Sequence, residues 1–193
     1  MVPRALVIPA EDNIDIFCRA VEARSEEHRQ AMDVALDRGW WAIAGSVLRM
    51  ELDSMIRVIY LLRRPDRRDR ILASCVAGEG FKYGQGYISD GKMIAVATRD
   101  NDWVDAAYKF GNKFVHLTDA HDYAEVDPLQ AYEHRGDVIK YLNDEYRGKV
   151  PGRRLDDSST LRDIAAYAPH VLDKITSNLS RYTEDLRTKV GHR

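Results

Sequence analysis

The stretch from residue 40 to 63, WWAIAGSVLRMELDSMIRVIYLLR, constrains this chain more than any other. Read at about 3.6 residues per turn, it is apolar almost all round. Only Ser46, Arg49, Asp53 and Arg57 recur on one narrow face. A helix of this kind has to be surrounded by other helices, so it is expected at the centre of a bundle. Arg49, Glu51, Asp53 and Arg57 interrupt the run, and each charge would cost several kcal/mol in lipid. The segment is therefore read as a buried helix, with Trp40 and Trp41 in the core. Along the polar face, Arg49, Asp53 and Arg57 can form an ion-pair ladder, the usual way to keep charge in an interior.

The remaining segments supply the surrounding helices. Residues 11–38 place Ile14, Phe17, Val21, His28, Met32, Ala35 and Leu36 near one face, and Gly39 separates this helix from the central one. Pro65 stops the central helix. Residues 129–147 form a further helix after Pro128. Thr160 and Asp163 fit a capping pair opening a short helix over 160–167. Pro169 suits the first turn of the last helix. There Leu172, Ile175, Leu179, Tyr182 and Leu186 form a seam at spacings of three and four, suited to a helix of the same chain or of a partner.

Between these segments, residues 78–100 differ in character. The glycines of GEGFKYGQG and the run YISDGKMI suggest a hairpin-like insertion turning at Asp90-Gly91. The glycine spacing matches neither a Walker loop nor a dinucleotide fingerprint. The fold expected is all-α: one helical domain over 1–193, with a small β-hairpin-like insertion at about 78–100 and C-terminal helices at about 160–189.

With a net charge of −2 over 193 residues, a nucleic-acid contact would have to come from a local patch. RRPDRRDR, residues 63–70, could hold RNA or acidic lipid, or form a solvated turn. Cys18 and Cys75 are too few and too far apart for a zinc motif and suggest a reducing compartment. The opening residues lack a signal-peptide pattern, so the expected location is cytoplasmic, with no membrane partner.

The chemistry concentrates in residues 103–123, WVDAAYKFGNKFVHLTDAHDY. Trp103, Ala106, Ala107, Phe110, Phe114 and Leu117 share one face of a helix expected over 101–118. Lys109, Asn112, Lys113 and His116 share another, an arrangement that can face a phosphate backbone or bulk water. A metal-dependent phosphohydrolase through His116 and the His121-Asp122 pair is a third reading; against it, His116 and His121 point to different sides of a continuous helix. No metal and no cofactor are expected.

The segment Gly111-Asn112-Lys113-Phe114-Val115-His116 resembles the signature of the HEPN superfamily of small α-helical bundles. That signature is an arginine, usually followed by a polar residue such as asparagine, and a histidine about five positions beyond the arginine. Asn112 and His116 match, and Gly111 stands at the arginine position. The resemblance implies a homodimer that binds or cleaves RNA without metal, in a bacterial defence or toxin-type context. It implies His116 as the acid–base residue and Asn112 as the group orienting substrate or histidine. Lys109 and Lys113 would contact phosphate, and Arg49 or Arg57 of the central helix would stand in for the arginine. The alternative is a non-catalytic helical module for dimerisation or scaffolding, docking a protein partner through the seam of the last helix or through the insertion. Gly111 also has a structural reading, since it lies with Val104, Tyr108 and Val115 on a side where a glycine lets another helix approach closely.

Overall fold

A computed structural model describes residues 12–116, 121, 125–150 and 154–188. The first helix, α1 (Asn13–Asp37), opens where the Asp12 side chain accepts a hydrogen bond from the Ile14 N–H. It ends at Gly39, whose φ of +68° a residue with a Cβ rarely adopts. There the Gly39 and Trp40 N–H groups bond back to the Leu36 and Ala35 carbonyls. The chain reverses into α2 (Trp41–Arg63), the most buried helix, which ends just before Pro65 as expected. A short α3 (Arg68–Val76) follows.

A hairpin of β1 (Lys82–Tyr83) and β2 (Gly86–Tyr87) comes next, antiparallel, pairing Lys82 with Tyr87 and Tyr83 with Gly86. Its turn is at Gly84-Gln85 and not at Asp90-Gly91. Asp90 instead begins α4 (Asp90–Ala97). Met93 and Ala97, one helical turn apart, are both fully buried, so burial at a spacing of four prevails over strand alternation.

After α5 (Trp103–Val115) the chain reaches α6 (Arg135–Glu145), which starts six residues later than expected. The Asp127 carboxylate accepts from the N–H groups of Leu129 and Gln130 in the manner of a helix cap, but what it caps is a single turn, and the helix begins only at Arg135. The same carboxylate accepts from Leu161 N–H and so holds the start of α7 (Leu161–Ala165). The Thr160–Asp163 capping box is present there. Finally α8 (Ala168–Thr188) lies along α2 and α1.

The architecture is an all-α bundle with a small β insertion. Helices α1, α4, α5 and α8 surround α2. The seam of α8 is consumed inside the chain: Leu172, Ile175, Leu179, Tyr182 and Leu186 are all buried, the last four of them in the core that α1 and α2 share. It is therefore not a docking surface for a partner. Trp40 departs from expectation too. It sits at the α1–α2 corner with its side chain outward, 54% exposed, while Trp41 turns in. Among the described residues no helix is long and apolar enough to cross a membrane.

Candidate functional site

Two glycines set the geometry where α5 crosses α2. A Cβ on Gly45 would lie 2.5 Å from the ring of Phe114, and one on Gly111 would lie 2.9 Å from the Cβ of Arg49. Each helix thus gives up a side chain so that a bulky group of the other can pass. The Arg49 side chain lies against the Cα of Gly111.

Arg49 is 8% exposed, and its guanidinium is engaged on every side. Nε donates to Asn112 Oδ1 at 2.8 Å. Nη2 donates to Asp90 Oδ2 at 3.3 Å, and Nη1 lies 3.7 Å from Asp53 Oδ1. The plane stacks over the ring of Tyr108, 3.4 Å from its centroid. Tyr108 in turn donates its hydroxyl to Asp90. Burial and that bond push the phenol well above its ordinary pKa, so it remains a neutral donor.

The expected ladder continues along α2. Arg57 grips Asp53 with both Nε (2.8 Å) and Nη2 (3.2 Å) and lies over the Phe81 ring. Arg24 of α1 reaches Ser54 and stands 3.9 Å from Asp53. Ser46 donates to the Phe114 carbonyl at 2.8 Å, satisfying one of the acceptors that every helix end leaves open. Three arginines thus meet two aspartates, an excess of one positive charge.

The structure brings Arg49, Arg57 and Asn112 into one network. The other candidates lie outside it. Lys109 is exposed and pairs with Asp105 of its own helix at 2.7 Å. Lys113 sits over the Tyr132 ring at 5.7 Å. His116 is exposed and no longer helical: with φ −100° and ψ 148° it terminates α5, its N–H bonded to the Asn112 carbonyl. The four-residue stripe therefore stops at Lys113, and Leu117 and Asp122 fall outside the described residues. In the arginine-rich turn, Arg63 pairs with Asp100, Arg64 and Arg67 with Asp66, and Arg68 with Asp69, which offsets much of its charge.

Sequence reasoning missed a second polar cluster. Glu51 of α2 is completely buried and accepts hydrogen bonds from Ser25 and His28 of α1 and from Thr176 of α8. His28 Nδ1 is 2.6 Å from Glu51 Oε2. Burial alone would raise the Glu51 pKa, but the bonds from His28, Ser25 and Thr176 prevail and hold it below the usual glutamate value. His28 in an apolar stripe was the one visible hint of this cluster. Tyr108 and Asp90 were missed as well, because Asp90 was read into a turn. No group of three or more His, Cys, Asp or Glu able to hold a metal ion occurs among the described residues.

No protein-family model, curated protein or solved structure matches the chain.

Proposed function

We propose that this chain is an HEPN-like, homodimeric RNA-binding protein of a bacterial defence or toxin-type system, engaging RNA where α5 ends beside α2. One observation carries the reading. Arg49, supplied by α2, fills the space that Gly111 leaves open and bonds to Asn112, so an arginine missing from the motif in sequence has a counterpart in space. The exposed His116 lies one turn beyond Asn112. In this scheme His116 acts as the acid–base group or as a hydrogen-bond donor to phosphate. Asn112 is oriented by Arg49, and Lys109 and Lys113 meet phosphate at the rim. Because the Arg49 guanidinium is held by Asp53 and Asp90, its role is to position Asn112, and binding is expected to dominate over cleavage.

The test is a binding and cleavage assay on mixed single-stranded RNA in EDTA, comparing the native chain with His116→Ala and Asn112→Ala. Salt-sensitive binding weakened by both variants supports the reading. Cleavage that survives EDTA and is lost in His116→Ala extends it to a nuclease. Absence of both binding and cleavage refutes it.

A second reading, a non-catalytic dimerisation or scaffold module, is favoured by a different feature. Val34, Trp40 and Ile43 at the α1–α2 corner are each half exposed or more. Sedimentation of the native chain against Trp40→Ser separates it: a dimer dispersed by that change, without RNA binding, supports this second reading.

A further inference from the structure

The arginine-rich turn at 63–70 and the hairpin after α3 lie outside the Arg49–Asn112 network, yet they form one surface. Helix α3 packs on β1, and the Arg67 guanidinium lies over the Tyr83 ring, 4.7 Å from its centroid. Arg70, one turn beyond Arg67 on the same side of α3, is exposed with no ion pair among the described residues. Arg64 and Arg67 share the single carboxylate of Asp66, and Lys82 has no carboxylate partner among the described residues. The turn's five arginines and Lys82 stand against Asp66, Asp69, Glu79 and Asp100, an excess of two positive charges on a chain whose net charge is −2.

The hairpin adds a ring that is already held in place. Tyr87 is 72% exposed, more than any other large apolar side chain among the described residues. Lys82 pairs with Tyr87 in register, which puts both side chains on one face of the hairpin, and its Nζ lies 4.9 Å from the ring centroid. Gly80, at φ +90°, has no side chain, and a Cβ there would lie 3.0 Å from Tyr87 Cε1. The ring therefore rests on the Gly80 backbone with most of its surface open, and little freedom is left to lose on binding.

An open ring among cations suits a strand of bases and phosphates, because any base stacks on an aromatic face while the backbone follows positive charge. A duplex hides its base faces. An acidic membrane needs aliphatic side chains to insert, whereas Ile88 of the hairpin packs inward against the core. We infer that the hairpin and the arginine-rich turn bind single-stranded nucleic acid, one base stacking on Tyr87 and phosphates pairing with Arg70 and Lys82. This surface is distinct from the end of α5 and does not rest on the reading proposed there.

The test is titration of the full chain into a labelled oligouridylate of about 12 nucleotides, read by anisotropy, with helical ellipticity confirming that each variant is folded. Tyr87→Phe, which keeps the ring, should bind as the native chain does, and Tyr87→Leu about ten-fold more weakly, the stacking of one base. Tyr87→Trp should show fluorescence quenching by the bound strand beyond that of the native tryptophans. Arg70→Gln should lower the slope of log affinity against log salt by about 0.7, one single-strand phosphate contact. No binding, an unquenched Tyr87→Trp, or undiminished affinity in a folded Tyr87→Leu would overturn the assignment. Equal affinity for the duplex, for polyglutamate or for phosphatidylglycerol vesicles would overturn it as well. Binding weakened in Tyr87→Leu but kept in His116→Ala and Asn112→Ala sustains it while the α5 reading fails, and the converse pattern overturns it alone.

Discussion

Replacing His28 by alanine is expected to destabilise this protein more than removing any exposed ion pair. Glu51 is fully buried and the His28 ring lies 2.6 Å from its Oε2. The substitution removes a bond to an ionised group, about 1.5–3 kcal/mol. It also leaves Oε2 in the interior without a partner, while Ser25 and Thr176 still hold Oε1. Breaking a buried pair in this one-sided way costs about 3–5 kcal/mol, and we expect His28→Ala to fall in that range. Urea unfolding at pH 7, monitored by helical ellipticity, reads it directly. Glu51→Gln supplies the control, because it keeps the shape and an acceptor but removes the charge. A double-mutant cycle of the two should show strong coupling.

The pH dependence follows from the same cluster. The folded Glu51 pKa is depressed, so the native state favours the ionised carboxylate. Its stabilisation is complete above the unfolded glutamate value of about 4.3 and is lost as pH falls through the lower folded value. Glu51→Gln should flatten that acid limb. A loss below about 1 kcal/mol in His28→Ala, or an unchanged acid limb in Glu51→Gln, would refute the argument.

Three further outcomes are expected. Gly45→Ala should cost about 1–2 kcal/mol net and Gly111→Ala somewhat less, since overpacking outweighs the gain in helix propensity, whereas Gly136→Ala, open to solvent, should gain up to about 0.5 kcal/mol; thermal melts of the three give the ranking. Asp127→Ala should cost about 1–2 kcal/mol by freeing the N–H groups of Leu129, Gln130 and Leu161, and hydrogen exchange at the first turn of α7 should quicken. Burial pushes the Cys18 thiol up to about 11, so labelling with a thiol-reactive disulfide at pH 8 should reach Cys18 only after unfolding.

Helices α1, α2, α5, α7 and α8 were legible because each carries its own evidence. The run of α2, the Leu172–Leu186 seam, Gly39 and the Thr160–Asp163 box are local patterns, and local patterns survive folding when burial agrees with them. The insertion was misread because SDGKMIAVA supports a turn as readily as a helix start, and only the burial of Met93 and Ala97 against the bundle distinguishes the two. At the site, the ladder Arg49–Asp53–Arg57 was visible as an i, i+4 spacing along one helix. Its extension to Asn112, Asp90 and Tyr108 joins residues up to 63 positions apart, which no periodicity reports.

By itself, then, the sequence determined a helical bundle with a small insertion, wrapped around residues 40–63, because hydrophobic periodicity and capping act over a few residues. Only the tertiary structure decided which polar groups meet. Arg49 is committed to Asn112 and Asp90, Glu51 is shared by three helices, and His116 leaves the helix that was to present it. A cavity under α6 belongs to the same category. It exists because small residues on α2, α5 and α7 come to face one another, and that depends on how the helices cross.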